Sequence, residues 1–374
     1  MLFYLLILCF MFFIYKINKR NGYRIILIVL SVLIIFRSKT VGTDITGYME
    51  LITSGMYDVS IDDVILYFSV GDFSSSAYGV NMLREPVFSI VVSILYSFIN
   101  NAFLTMNVIC IIILLIYYNA LKIVFKNNTE QITIGLFVYF ATFLYFSMFN
   151  TLRQAFSTSF LMLGLAYYYK YKDSGIKRFY VLIPLLLACL SHTTAVFALP
   201  MFLISRIRIK EFVIWIVLAI ALIIDFFKID VSDLFTYLES TNYSRIEETF
   251  TRESIAGYNV YVHYLGFVFH LYLSFYFCWL YHYSLRDERR NLNIWLVGLL
   301  LYLILISAPN ISRFSEHLYS IQIVIVPAIL HRLRIEMHPK YSLTLLLTRV
   351  WLIGWFIFYL QSNWYGVVPY SFNF

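Results

Sequence analysis

The sequence predicts an all-α polytopic integral membrane protein, with residues 1–374 forming a single membrane domain. Of these residues, 61% are hydrophobic and only 13% are charged, whereas a soluble domain usually carries about 25% charged residues. Aromatic residues make up 20% of the chain, and a soluble core of this size cannot bury so much apolar surface. The apolar runs are long and unbroken, which excludes a membrane β-barrel built from short alternating segments.

The apolar runs predict the membrane spans in chain order, and with two irregular segments they give about 10–12 transmembrane helices. The runs lie at 2–16, 24–36, 102–124, 132–150, 154–171, 211–227, 260–284, 294–308, 318–335 and 341–361. Basic residues lie in the short loops between them. The net charge of +7 therefore indicates orientation in a membrane and not binding to nucleic acid.

Two apolar segments do not fit a single crossing. Segment 85–99 is too short and begins with Glu85-Pro86, and segment 179–205 is interrupted by a polar break around His192. If both are re-entrant or broken helices, every basic cluster falls on the inner side of the membrane. Loops 37–84 and 228–259 then lie outside. Broken helices usually line a cavity, because their free backbone groups need partners.

Four polar clusters near the membrane need an explanation, because a charge inside a membrane helix costs about 2.5–3.5 kcal/mol. They lie at 37–48, 150–155, 191–194 and 309–319. The first is also typical of an interfacial anchor, and a lone histidine such as His192 is often a packing residue. Arg153 and Arg313 on the outer side are suited to phosphate, because the planar guanidinium matches phosphate oxygens. A nearby aspartate or histidine can accept a proton from a hydroxyl.

Several common motifs are absent from the sequence. It has no G-x-x-x-x-G-K-[ST], no H-E-x-x-H and no D-x-D. These absences argue against an ATPase, a zinc protease and a sugar transferase that holds its metal ion through a carboxylate pair. No histidine or cysteine spacing matches a known metal site. We therefore expect neither a metal nor a cofactor.

The order and spacing of several short motifs resemble the EpsG/Wzy group of bacterial polysaccharide polymerases, over nearly the full chain. These motifs are V-G-T-Asp44-x-x-x-Tyr48, Glu85 at the start of an apolar helix, N-x-x-Arg153-Q-x-A, S-His192-T and Arg313-F. One departure is His317, where an aromatic residue is expected; Tyr319 lies close by in the sequence.

The resemblance implies glycosyl transfer at the outer face of the bacterial plasma (inner) membrane, with the active site facing the periplasm or the outside. A glycan on polyprenyl diphosphate would be the donor, and a repeat unit on the same lipid carrier would be the acceptor. Transfer to the non-reducing end would be metal-independent and would release polyprenyl diphosphate. The resemblance also implies a GT-C-like architecture. The expected partners are these two lipid-linked substrates, the bilayer, a chain-length regulator and a flippase.

The roles implied for individual residues follow from this chemistry. The expected diphosphate-binding residues are Arg153, Arg313, Arg37 and Lys39. Either Asp44 or His192 would be the catalytic base, with the preference for Asp44. The expected substrate-binding residues are Tyr48, Glu85, Gln154 and Tyr319.

Three other functions share parts of this pattern. An O-antigen ligase uses the same donor but usually has a very large outer loop, and loop 228–259 is short. A lipid-linked sugar transporter or flippase often shows two similar halves, and no such repeat is visible. A membrane acyltransferase would use His192 as its base.

Overall fold

The computed structural model describes residues 1–18, 20–57, 85–171, 174–229, 260–305, 313–363 and 365–372, without the side chains at 178, 260–263 and 313. The chain divides into two compact units. Unit 1 comprises Met1–Leu199 with Tyr359–Phe374, and unit 2 comprises Pro200–Phe358. Most of the two predicted outer loops, 37–84 and 228–259, lies outside the described residues, since 58–84 and 230–259 are not described. The single membrane domain over 1–374 stays a prediction.

The described elements are helical, apart from an isolated antiparallel bridge between Arg37 and Phe372. In unit 1 they are α1 (Leu2–Ile17), α2 (Gly22–Ile35), α3 (Ile45–Thr53), α4 (Pro86–Ile99), α5 (Ala102–Val124), α6 (Thr129–Ala141), α7 (Leu144–Ser147), α8 (Leu152–Tyr171), α9 (Leu182–Ser191) and the 3-10 helices Gly175–Val181 and Thr193–Ala198. In unit 2 they are α10 (Met201–Ile204), α11 (Glu211–Phe227), α12 (Val260–His282), α13 (Arg286–Ile304), the 3-10 helix Arg313–Ser315, α14 (Glu316–Tyr319), α15 (Gln322–Ile335) and most of α16 (Tyr341–Ser362).

The predicted fold class is confirmed as all-α and polytopic. Each predicted span coincides with a helix or with a broken pair of helices. In the described parts of the chain, four segments are long and apolar enough to cross a membrane: Ala102–Val124, Tyr264–His282, Glu316–Ile335 and Tyr341–Ser362. Several of the remaining apolar helices, including α1, α2 and α4, are shorter.

The span predicted at 132–150 is interrupted. Helix α6 ends at Ala141, and Phe143 adopts a left-handed backbone conformation with a φ of 66° before the single turn of α7. This conformation is costly for a residue with a side chain. The Phe143 ring packs at 4.7 Å from the ring of Phe146 and at 5.1 Å from that of Tyr359. We infer that this buried aromatic packing offsets the backbone cost.

The irregular segments differ from each other. Segment 179–205 is broken, as predicted: α9 ends at Ser191, and His192 is extended, with φ −160° and ψ 127°. Segment 85–99 forms one unbroken helix of 14 residues, which begins with Pro86. Proline fits the first turn of a helix because the N–H that it lacks would have no helical partner there. The re-entrant course of this segment stays a prediction.

Helix α5 lies at the centre of unit 1 and packs against α2, α3, α4, α6 and α8. Helix α9 packs antiparallel against α8: Ser157 Oγ donates to the carbonyl of Ala188 at 2.8 Å. Further along α8, Gly164 leaves room for Leu185, which a β-carbon at Gly164 would meet at 2.8 Å. This pairing brings the end of α9 beside the start of α8.

The C-terminal residues of unit 1 pack on the segment that follows α2. The Ser38 amide donates to the carbonyl of Ser371 at 2.7 Å, and the Gly42 amide donates to that of Gly366 at 3.1 Å. The Tyr4 hydroxyl donates to the carbonyl of Val367 at 2.9 Å. Residues 365–372 therefore fix the conformation of residues 37–44.

Replacing Gly42 with alanine is expected to destabilise unit 1 by about 1–3 kcal/mol. Gly42 has a φ of 115°, and a β-carbon there would lie 2.5 Å from the carbonyl oxygen of Phe149. Gly47, in α3, is a matched control because its β-carbon would meet nothing within 4 Å. Thermal unfolding in detergent should show a lower midpoint for Gly42→Ala and an unchanged or slightly higher one for Gly47→Ala. Equal midpoints would contradict this account.

Candidate active site

The Glu85 carboxylate joins two of the residues singled out in the sequence. Its Oε2 accepts a hydrogen bond from Arg153 Nη1 at 2.8 Å, and its Oε1 is bonded to Nδ1 of His192. The Glu85 side chain is 7% exposed, His192 is 18% exposed and Arg153 is 33% exposed. The carboxylate is therefore buried beneath a cation and an imidazole that both reach the surface of unit 1.

Three separate elements position these side chains. Glu85 is the residue before α4, Arg153 lies in the first turn of α8, and His192 follows α9. The antiparallel packing of α8 against α9 places Arg153 and His192 at the same end of the pair. Helix α4 packs against α9, which brings Glu85 between them.

Burial and hydrogen bonding act in opposite directions on Glu85, which lies outside the helix that follows it. Burial alone would raise the pKa of its carboxyl group. Hydrogen bonds from His192 and Arg153, together with the Arg153 charge, outweigh burial and hold the pKa below its usual range. Glu85 is therefore ionised at neutral pH, and His192 Nδ1 donates its proton to it.

Two tyrosines border the Arg153 guanidinium. Tyr48 and Tyr57 both interact electrostatically with Arg153. Both tyrosines are buried, and the Tyr57 ring packs edge-on against Phe88 of α4. Tyr57 was not singled out in the sequence, because one tyrosine among 32 carries no distinguishing signal.

One donor of the Arg153 guanidinium is unused. Its Nε is buried and has no hydrogen-bond partner among the described residues. A buried N–H without a partner costs free energy, and a guanidinium N–H is a strong donor to phosphate oxygens. Arg153 thus pairs with a carboxylate on one side and keeps a donor for a further group.

The Asp44 carboxylate makes contacts other than those of the cluster. It accepts a hydrogen bond from Thr43 Oγ1 at 3.0 Å, and Asp44 precedes α3. The Thr43 backbone amide donates to Asn150 Oδ1, and the Thr43 hydroxyl, whose one proton the two acceptors share, lies 2.8 Å from the same oxygen. Tyr48, one helical turn after Asp44, interacts electrostatically with Arg153. The structure therefore brings the Asp44 segment to the edge of the cluster.

Arg37 and Lys39, the predicted diphosphate-binding cations of segment 37–48, differ in exposure. Arg37 is 1% exposed, and its guanidinium donates to Asn107 Oδ1 at 2.9 Å and to the carbonyl of Val41 at 3.2 Å. It also lies 4.3 Å from the centre of the Phe149 ring. Lys39 is exposed. Arg37 is thus engaged in internal contacts that join α2 to α5.

The remaining predicted residues lie in α8 and in unit 2. Gln154 is buried next to Arg153 in the sequence. Tyr319 belongs to unit 2, where its ring lies 6.2 Å from that of Tyr302. Arg313 begins a 3-10 helix of unit 2, and the structure does not describe its side chain.

The described residues contain no group of three or more His, Cys, Asp or Glu side chains placed to hold a metal ion. The expectations of metal-independent chemistry and of no cofactor stay predictions.

Replacing Glu85 with glutamine is expected to destabilise unit 1 by about 1–3 kcal/mol, because a partly buried Arg153 charge loses its counter-charge. The double variant Glu85→Gln/Arg153→Met removes that charge as well, so it should be more stable than Glu85→Gln alone. Unfolding midpoints of the single and double variants in detergent measure this coupling. Additive losses would show that the two side chains do not interact.

Comparison with known proteins identifies the family. A family model described as the EpsG family matches residues 20–372. No match was found among curated proteins or solved structures, so the GT-C-like architecture stays a prediction. The matched range includes every residue of the cluster formed by Glu85, Arg153 and His192. The chain belongs to the EpsG family, whose members are membrane proteins of the polysaccharide polymerase type.

Proposed function

We propose that this protein polymerises a surface polysaccharide from repeat units carried on polyprenyl diphosphate, at the outer face of the bacterial plasma membrane. The observation that carries the proposal is the cluster of Glu85, Arg153 and His192. It combines a cation whose buried Nε has no hydrogen-bond partner among the described residues with an imidazole oriented by a carboxylate. Membership of the EpsG family supports the same chemistry.

The proposed reaction forms one bond and breaks another. The acceptor hydroxyl at the non-reducing end of a new repeat unit attacks C1 of the donor's first sugar. The bond between C1 and the diphosphate oxygen breaks, and polyprenyl diphosphate leaves with the electron pair. The hydroxyl proton passes to a base. Negative charge develops on the leaving oxygen, and a preorganised cation stabilises it at that stage.

We assign the diphosphate to Arg153, with Arg313 and Lys39 as further candidates. The Nε–H of Arg153, which has no partner within the described part of the chain, supports this assignment. Arg37 is less suited, because its guanidinium already contacts Asn107 and Val41.

We assign the proton to His192 in preference to Asp44. Glu85 contacts Nδ1 of the His192 ring and orients the imidazole, which accepts the proton of the acceptor hydroxyl. The ionised Glu85 also stabilises the imidazolium that forms. Glu85 is thus a positioning residue, because both of its oxygens contact other side chains. Tyr48, Gln154 and Tyr319 remain the candidates for contacts with sugar.

Deletion of the gene in its host, followed by gel analysis of surface glycolipids, tests the function. The proposal expects the polymer ladder to collapse to a single repeat unit. An unchanged ladder would favour transport or acylation instead. Long chains stranded on the lipid carrier would indicate a ligase. The purified protein should also lengthen lipid-linked repeat units in vitro without other proteins, and failure of both assays would reject the proposal.

A further inference from the structure

A second site lies between α2 and α5, at the end of these helices that is remote from Arg37 and Asn107. Arg37 follows α2 and contacts Asn107 near the start of α5. Arg24, in the first turn of α2, and Lys122, in the last turn of α5, border a common cavity. At a rise of about 1.5 Å per residue, Lys122 lies about 22 Å along α5 from Asn107.

This cavity has a volume of about 420 Å³ and is lined by residues of α2, α5 and α6 and by Asn127 of the α5–α6 connection. None of its described lining residues is acidic. Glu130, which follows the lining residue Thr129, accepts a hydrogen bond from the Tyr15 hydroxyl and does not line the cavity. The described wall of the cavity therefore presents two positive charges and no carboxylate.

Two stacked rings hold these cations in place. The rings of Tyr23 and Tyr118 lie 5.8 Å apart and 12° from parallel. Arg24 Nε donates to the Tyr23 hydroxyl at 2.9 Å, and Lys122 Nζ lies 5.9 Å from the centre of the Tyr118 ring. The two cations thus have a defined position on an aromatic wall, which lowers the entropy that a bound anion would cost.

The cavity wall is also amphipathic. Leu27, Ile28 and Ile132 line it together with the cations. Ile28 is 62% exposed and lies one helical turn from Arg24, so both side chains share a face of α2. An exposed apolar side chain beside a cation fits a ligand with a charged head and a hydrocarbon tail.

We propose that this cavity binds the phosphate group of an anionic membrane lipid, with its acyl chain along Leu27 and Ile28. Basic pockets between membrane helices are suited to lipid headgroups. The inference is independent of the polymerase reaction, because it concerns other residues at the other end of unit 1.

Binding can be measured on the full chain in a neutral detergent, from the rise in unfolding midpoint with short-chain phosphatidylglycerol. We expect the double variant Arg24→Gln/Lys122→Gln to weaken apparent affinity by about tenfold or more, because both charged contacts are lost. Lys16→Gln is the matched control: Lys16 lies at the same end of unit 1 but does not line the cavity. It should leave the affinity within about twofold of the wild type.

Two further measurements, on a charge-conserving variant and with inorganic phosphate as competitor, make the result decisive. Arg24→Lys keeps the charge and should still bind, which separates loss of charge from misfolding. Millimolar inorganic phosphate should not displace the lipid, because it lacks the acyl chain. Displacement, or binding of phosphate as tight as that of the lipid, would indicate a free phosphate ligand and overturn the lipid assignment. Equal lipid binding by the wild type and the double variant would overturn the site.

Discussion

Replacing Arg153 with lysine is expected to lower polymer formation by about 100-fold to 1,000-fold, the usual effect of losing one preorganised donor to a developing negative charge. Lysine keeps the positive charge but lacks the guanidinium fork, which here reaches Glu85 with one nitrogen and keeps Nε for another group. A compact ammonium group cannot serve both partners in the same geometry. Arg153→Ala should abolish polymer altogether.

The measurement is the length distribution of surface polysaccharide in a deletion strain that carries each variant, with the amount of membrane protein measured in parallel. Arg208→Lys is the matched control, because Arg208 is exposed and lies in unit 2. Normal polymer from Arg153→Ala, at normal protein levels, would reject the role of Arg153 in binding diphosphate.

Replacing His192 with asparagine is expected to slow polymerisation by about 100-fold to 10,000-fold, as is typical for loss of a general base. The asparagine amide nitrogen occupies a position similar to Nδ1 of histidine, so it can still donate to Glu85. The variant therefore keeps the contact that Glu85 makes and removes the second ring nitrogen. A loss of activity without a loss of stability would separate proton transfer from packing.

Asp44→Asn distinguishes the two candidate bases. If His192 is the base, Asp44→Asn should lower the rate far less than His192→Asn, because the amide oxygen of the substituted side chain still accepts the hydrogen bond from Thr43. The reverse order of effects would assign the base to Asp44. The comparison uses rates of chain extension by purified protein with lipid-linked repeat units, so that differences in expression do not enter.

Much of the helical framework follows from the sequence, because the spans are apolar runs separated by segments that carry polar and charged residues. The break near Phe143 does not, since residues 136–149 are mostly apolar and contain no glycine, asparagine or proline that would signal a positive φ or a helix break. The aromatic packing that we infer to offset its cost includes Tyr359, more than 200 residues away in the printed sequence.

The candidate site was predictable as separate residues but not as a cluster. Arg153 and His192 stood out because a polar group beside an apolar helix is costly, and Glu85 stood out as the residue that opens an apolar segment. Their association depends on how α4, α8 and α9 pack, over separations of 68 and 107 residues. Arg37 shows the converse: the same residue type at a helix end turns inward, because Asn107 and the Phe149 ring offer it partners.

The packing of residues 365–372 on the segment after α2 has a consequence for biosynthesis. Thr40 and Ser371, whose hydroxyl groups lie 2.9 Å apart, are separated by 331 residues. A ribosome that adds about 5–20 residues per second needs roughly 15–70 seconds to make that stretch. During that interval the amides of Ser38 and Gly42 lack their native acceptors. Segment 37–44 therefore completes its native hydrogen bonds only after residues 365–372 have been synthesised, and we expect nascent chains stalled before that point to be the forms recognised by membrane proteases.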